Sequence, residues 1–374
     1  MRRDLNSLSA CREQPGGLRC HAVRCEVDNM VGKMTLPIAV DLFAGAGGTS
    51  QGLRDAGFTV VAAVESDKAA ARTFAANHPD TDLLAQDIRR VSAPAFAKRL
   101  GIPPKRLDLL TACPPCQPFS TLGSGDANDR RNALVSSLAR FVEHLRPRAL
   151  VLENVPGLRR EPRFVRLLNR LEADYRVGQY LVDAADFGVP QRRRRIIVVA
   201  VEHDTNAEPP EDLLEALPAS FDNSPRTAGE ALAVAASLST EADPVHRART
   251  PRPRTLERIR AVRQGGGRVQ LPKRLRLDCH ERLDHRDATS IYGRIDPSQP
   301  APTMTTRCTT PSCGRFVHPT EDRGLTLREA ALLQTFPLDY TFCGGHDRVE
   351  RQIGNALPPR LAEALGLLVA QLLA

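Results

Sequence analysis

Short apolar runs that each end where chemistry-bearing residues begin constrain this chain more than any other feature. Leu36-Pro37-Ile38-Ala39-Val40-Asp41-Leu42-Phe43 runs into the glycine cluster Gly45-Ala46-Gly47-Gly48, and further runs follow at Val60–Val64, Leu107–Thr111, Ala149–Leu152 and Ile196–Val201. Each has the length of a buried strand, and the stretches between them are long enough for helices. The alternation predicts a mostly parallel α/β sheet. Ligands in such sheets bind at the carboxyl ends of the strands, which is where the distinctive residues of this sequence fall. The apolar tail Leu361–Ala374 contains Glu363 and Gln371, so a buried C-terminal helix fits it better than a membrane span.

The first loop opens onto a helix, where missing side chains let backbone N–H groups approach a ligand. Glu65 stands 20 residues after Gly45, the offset at which an acid meets ribose hydroxyls. Ser50 stands where a dinucleotide fingerprint has its third glycine, so a nicotinamide site fits less well. Asp87-Ile88, after a third strand, offers one hydrogen bond and one apolar face to an adenine. Pro114-Pro115-Cys116-Gln117-Pro118-Phe119-Ser120 holds a cysteine between prolines in a stiff loop. A thiol acts through its thiolate, and a polar, partly exposed loop is where a cysteine nucleophile is found. Cys113 and Cys116 also spell Cys-x-x-Cys, shared by redox pairs and half zinc sites. The 9 cysteines contain no second such pair, which disfavours a four-ligand zinc site and leaves Cys308, Cys313, Cys343 and His346 as the alternative set. The odd count without a signal peptide fits reduced thiols in a cytosolic protein.

Glu153-Asn154-Val155 follows the run Ala149–Leu152, so Glu153 is expected on the same sheet edge as Cys116. A carboxyl on a water-poor floor near a thiolate is suited to donating a proton; an isolated helix-cap or salt-bridge acid is the plainer role. Gln191-Arg192-Arg193-Arg194-Arg195 leads into Ile196–Val199, and alternation along a strand would turn Gln191, Arg193 and Arg195 the same way. Charge is segregated. Val201–Val245 carries ten Asp/Glu against one Arg, and His246–Phe316 carries sixteen Lys/Arg against six Asp/Glu, within a formal total of +8. A basic block of this density is what a phosphate backbone selects, although a solvated arginine surface has the same composition. The first 36 residues mix Gly, Pro, Arg and Cys without apolar periodicity. They read as a disordered extension or a misplaced start, with Met30 and Met34 as alternative initiators.

Taken in order, DLFAGAGG at Asp41–Gly48, PPCQPFS at Pro114–Ser120, ENV at Glu153–Val155, QRRRR at Gln191–Arg195, LREAALLQTFP at Leu327–Pro337 and QIGNALPP at Gln352–Pro359 closely resemble the motif series of DNA (cytosine-5)-methyltransferases. The resemblance runs from about Pro37 to the C-terminus. It implies a Rossmann-like S-adenosylmethionine-dependent methyltransferase sheet with a smaller target-recognition domain. The implied division is an extension 1–36, a catalytic and cofactor-binding domain 37–200 plus 325–374, and a target-recognition domain 201–324.

The resemblance also implies a mechanism. Cys116 adds to carbon 6 of cytosine while Glu153 protonates ring nitrogen 3, carbon 5 takes a methyl group from S-adenosylmethionine, and loss of the carbon 5 proton releases Cys116. Arg195 and Arg193 orient the base, which must first be flipped out of the duplex. The same carry-over puts Phe43 on adenine, Gly45, Ala46, Gly48 and Pro115 around the methionine moiety, Glu65 and Ser66 on the ribose, and Asp87 and Ile88 on the adenine edge, with Asn355 and Leu357 closing the pocket. S-adenosylhomocysteine is the product, and no metal is expected. Gln117, Ser120, Gln191, Thr305, Thr306 and Arg307 are the expected DNA contacts, together with the turn Gly265-Gly266-Gly267. Expected partners are double-stranded DNA and, functionally, a cognate restriction endonuclease, for a monomer in a bacterial cytoplasm. A tRNA cytosine-5 methyltransferase, a catalytically silent DNA-binding relative and a zinc-structured binding protein are the other readings.

Overall fold

The computed structural model describes residues 36–115, 133–284 and 288–374. Strands β1 (Ile38–Leu42), β2 (Thr59–Val64), β3 (Asp82–Leu84), β4 (Leu109–Ala112), β5 (Ala149–Asn154), β6 (Tyr175–Asp183) and β7 (Arg194–Glu202) form one sheet in the order β3-β2-β1-β4-β5-β7-β6. Pairing is parallel from β3 through β5, and β7 runs antiparallel to both of its neighbours. Helices α1 (Gly48–Asp55), α2 (Lys68–Asn77), α3 (Ala93–Leu100), α4 (Ala133–Leu145) and α5 (Pro162–Leu171) alternate with the strands. After β7 come α6 (Ala228–Ala235), α7 (Pro253–Arg260), the single turn α8 (Asp278–Glu281), α9 (Leu327–Leu333), α10 (His346–Asn355) and α11 (Pro359–Leu373).

Side chains alternate between two core layers because successive strand residues point to opposite faces. Val40, Leu110, Leu150, Leu152 and Val198 pack under Phe96 of α3, Phe141 of α4 and Phe164 of α5. Ala39, Leu109, Val151, Ile197 and Val199 pack under Leu53 of α1 and Leu361, Leu365 and Leu368 of α11. Each fully buried Leu or Phe in these layers stabilises the fold by roughly 1.5–3 kcal/mol. Burial on both faces is why these strands read as continuous apolar runs. The C-terminal run is the buried helix its composition favours. Gly52 lets α11 approach α1, since a Cβ there would collide with Pro359 O and Ala362 Cβ. β6 is a strand whose sequence carries no continuous apolar run. It lies at the sheet edge, and Arg176, Gly178 and Gln179 within it break the apolar run.

The region after β7 is built differently. Leu213 and Phe221, from the acidic segment, share the core of the sheet with Phe187 and Leu361. Farther along, Ile295, Met304, Cys308 and Phe316 share a core with Leu232 of α6, Leu333 of α9 and Ile353 of α10. Short 3-10 turns and isolated bridges such as Gln264–Arg294 and Arg294–Val317 replace a sheet in this stretch. Buried arginines supply the missing donors. Arg294 gives Nε to Val262 O at 3.0 Å, Nη1 to His318 O and Glu321 O at 2.9 Å each, and Nη2 to Ile259 O at 3.1 Å. Arg268 bonds His280 O and Asp284 O, and Arg258 bonds Leu275 O. Part of the basic block is therefore internal framework rather than surface. The glycine triplet is also partly interior, because a Cβ at Gly267 would collide with Thr289 O.

Candidate active site

The loop after β1 turns sharply, with Phe43, Gly45 and Gly47 at φ +61, +56 and +94. Phe43 is the costly one, since a side chain disfavours the left-handed region. α1 begins at Gly48 with no side-chain cap, so its first N–H groups lack an intrahelical partner. A Cβ at Gly45 would meet nothing within 4 Å, whereas one at Gly48 would lie 2.5 Å from Leu357 O. The loop thus shows bare backbone to open space on one side and packs on the segment after α10 on the other.

Glu65, at the end of β2, accepts from Gly45 N at 2.8 Å through Oε2 and from Asp67 N at 2.5 Å through Oε1. Burial raises its pKa, with these N–H groups opposing the shift. The acid and the glycine loop are therefore joined directly. Ser66 is exposed beside it and lines the same cleft. Asp87 caps the turn that follows β3, and Arg89 grips both of its oxygens, with Nε at 3.0 and 3.1 Å and Nη2 on Oδ2 at 2.5 Å. Hydrogen bonding from Arg89 brings the Asp87 pKa down to about 2. Ile88 is buried in the core and also lines the cleft.

Pro114 and Pro115 follow β4, and Asn154 Nδ2 holds Pro114 O at 3.0 Å. Cys116, Gln117 and Ser120 lie outside the described residues. Cys113 is a half-buried thiol, pushed well above the usual range by desolvation and then by the Glu153 and Asp41 charges. Its Sγ is 3.7 Å from Thr49 Oγ1. Of the Cys-x-x-Cys pair, this member is disfavoured as a thiolate. Glu153 lies within β5 rather than after it, opposite Ile197 of β7. Arg195 Nε meets Glu153 Oε1 at 2.7 Å, with both side chains about nine-tenths buried.

Two expected site residues, Gln191 and Arg193, are bonded within the interior. β7 begins at Arg194, so strand alternation does not extend back to Gln191. Gln191 is fully buried, giving Nε2 to Leu333 O at 3.2 Å and Gln334 Oε1 at 2.7 Å and accepting from Met304 N at 2.7 Å. Those bonds occupy its amide in the interior, away from a DNA surface. Arg193 is 2% exposed, bonds Met304 O at 3.1 Å and Gly354 O at 3.3 Å, and also lines the cleft. Together the two side chains tie the segment 303–306 to α9 and α10. Thr305 and Thr306 are half-buried and line the cleft, and Arg307 is exposed. Asn355, exposed, and Leu357, buried, line it too.

One cleft of about 1340 Å³ joins these groups, reaching from Phe43, Glu65 and Asp87 to Pro115, Glu153, Arg195 and Thr305. Thr303, Met304, Arg348 and Arg351 also line it and were not singled out from sequence. Their signal was weak: Thr303, Arg348 and Arg351 are among many residues of their type, and Met304 reads as a plain core residue. Of the alternative zinc set, Cys308 is buried and burial raises its pKa. Among the described residues, His346 instead gathers with Asp347 and Glu350.

Residues 38–369 match the family model of the C-5 cytosine-specific DNA methylases. The Type II methylase M.HgiDII of Herpetosiphon aurantiacus is 31% identical over 343 residues, covering 87% of this chain and 93% of that one. The Type II methyltransferase M.PspPI of Psychrobacter sp. (strain TA137) is 33% identical over 351 residues, covering 89% and 79%. A solved structure of a putative DNA modification methyltransferase encoded within an E. coli prophage superposes with a TM-score of 0.71 at 25% identity, covering 90% of this chain and 99% of that one. With the α/β sheet, its glycine loop and its carboxyl-edge cleft in place, the chain belongs to the C-5 cytosine-specific DNA methylases and is a DNA (cytosine-5-)-methyltransferase.

Proposed function

We propose that the chain transfers a methyl group from S-adenosylmethionine to carbon 5 of a cytosine within one specific duplex sequence, with Cys116 as nucleophile and Glu153 as the proton-handling group. The observation that carries this reading is the single cleft running from the Gly45–Glu65 junction to the buried Glu153–Arg195 pair, beside the loop that leads to Cys116. Its volume exceeds the 300–1000 Å³ of an ordinary small-molecule pocket, as needed for a cofactor and an everted base together.

The residues around the loop fit the cofactor. Bare N–H groups at the start of α1 suit the carboxylate of its methionine part, and Glu65 accepts hydrogen bonds beside a ribose. Asp87 is held ionised by Arg89, which suits an adenine amine. S-adenosylmethionine supplies an electrophilic methyl group when bound. Everything else falls to side chains. Cys116 forms a bond to carbon 6 of the flipped cytosine, and Glu153 manages the proton at ring nitrogen 3, which leaves carbon 5 electron-rich. Arg195 pairs with Oε1 of Glu153 and holds the carboxylate at the wall of the cleft. Departure of the carbon 5 proton then expels Cys116 and restores the ring.

In this reading residues 201–324 form the recognition domain, with Thr305, Thr306 and Arg307 at the DNA. Arg193 and Gln191 act as supports for that segment. The enzyme works as a monomer on cytoplasmic, nucleoid DNA, protecting one sequence from a companion endonuclease.

Bisulfite sequencing of plasmid from a methylation-free host tests this directly. Cytosines protected in one recurring short sequence with the parent, and none with Cys116→Ala while gel-shift binding to the duplex persists, is the expected result. Protection by the Cys116→Ala variant, or no protection by soluble parent, would sink the reading and turn attention to RNA substrates.

A further inference from the structure

Beneath the glycine loop lies a buried polar pair that the transfer reaction does not use. Tyr340, 2% exposed, donates its hydroxyl proton to Ala46 O at 2.6 Å. His78, 1% exposed, reaches the same hydroxyl through Nε2 at 3.1 Å, and its Nδ1 faces Arg54 Nη1 at 3.1 Å. A guanidinium only donates, so Nδ1 accepts and Nε2 carries the hydrogen given to the Tyr340 oxygen. Burial and then the Arg54 charge bring the His78 pKa down to about 4, keeping the ring neutral. Donation thus runs one way, from Arg54 through His78 and Tyr340 to a loop carbonyl.

The surroundings make that carbonyl a control point. Gly47 N donates to Ala44 O at 2.9 Å, so the peptide between Ala46 and Gly47 is bonded at both its oxygen and its hydrogen. A Cβ at Gly47 would lie 2.6 Å from both His78 Nε2 and the Tyr340 hydroxyl. The pair therefore fills the space a side chain would take. The Tyr340 ring packs on Phe336 and Phe342, with centroids 4.8 and 5.4 Å away. Asn77, at the end of α2, bonds both the N–H and the C=O of Thr341. Glu65 holds Gly45 N in the same loop.

We propose that Tyr340, oriented by His78, is a positioning residue for the cofactor: by fixing the Ala46–Gly47 peptide it sets the direction in which the rest of the loop faces the cleft. The inference rests on the reading of that loop as the S-adenosylmethionine site. Tyr340→Phe removes one hydroxyl and keeps the ring. Titration calorimetry with S-adenosylhomocysteine and initial-rate kinetics should show its Kd and the S-adenosylmethionine KM raised about 5- to 10-fold, the size of one buried hydrogen bond. The kcat and the KM for DNA should stay within about twofold, the signature of lost ground-state binding. Phe342→Leu loosens the same aromatic cluster but spares the hydroxyl, and should lower thermal stability without moving either KM. Unchanged S-adenosylhomocysteine affinity in Tyr340→Phe, beside a loss in Glu65→Ala, overturns the inference and spares the cofactor reading. Unchanged affinity in both variants overturns both. An equal loss in Tyr340→Phe and Phe342→Leu also overturns the inference, because packing alone then accounts for it.

Discussion

Around β1 and β4 the backbone pairs with itself along a parallel ladder and side chains have only to fill two apolar faces, whereas around Arg294 the carbonyls of Ile259, Val262, His318 and Glu321 turn to one guanidinium. The first arrangement spreads stability over many replaceable residues. The second concentrates it in a few that have no substitute, since no other side chain offers five donors in a fixed fork. A ladder also fixes the carboxyl edge where chemistry is assembled. A clamp instead fixes where several loops cross one another.

The comparison breaks most easily at Arg294. Arg294→Met keeps the length of the stem and removes the donor that those carbonyls share, while Asp322 keeps Arg260, and should cost about 3–5 kcal/mol of unfolding free energy. Hydrogen exchange should accelerate across 255–325 before it does in β1 or β4; a loss under about 1 kcal/mol would mean that the clamp is decoration. Gly52→Ala probes the other side. Its Cβ meets the backbone of α11, and overpacking of this kind costs about 1–3 kcal/mol. Urea midpoints would measure it, and parent-like stability would show that α1 and α11 can part without consequence.

A pH-dependent effect sharpens the picture within the ladder itself. Asp41 of β1 is fully buried, taking hydrogen bonds from Ser50 Oγ at 2.7 Å and Thr111 Oγ1 at 3.1 Å. Burial outweighs those donors and raises its pKa from 3.8 to about 7. The folded chain then keeps a proton that the unfolded chain releases, so this group's contribution is complete below pH 3.8 and is lost as pH rises through about 7. The slope is at most about 1.4 kcal/mol per pH unit. Unfolding curves at pH 5, 6 and 7 should show the parent losing stability relative to Asp41→Asn, and identical slopes in the two proteins would remove Asp41 as the cause.

The same contrast explains what the sequence revealed. Runs such as Leu107–Thr111 and Ala149–Leu152 were legible as strands because parallel strands are buried on both faces. β6 escaped because an edge strand tolerates Arg176 and Gln179. The spacing of Gly45 and Glu65 read as a glycine loop and a ribose acid, and the fold joins them by a bond from Gly45 N to Glu65. Gln191 and Arg193 were placed on the face of Arg195 by extending strand alternation to residues that precede the strand. Counting charge across His246–Phe316 could not separate Arg258, Arg268 and Arg294, which serve carbonyls, from exposed residues such as Arg252 and Lys273. Composition records the type of a side chain but not which carbonyls lie within its reach.

The backing of the glycine loop has a consequence in time. Tyr340 reaches Ala46 across 294 residues, and Leu357 O covers Gly48. A chain still emerging from the ribosome carries the loop, the cysteine and the acid long before it has the walls that shape them. Shaping of the loop therefore waits on the segment that carries Tyr340 and Leu357, and a product ending before it lacks those walls.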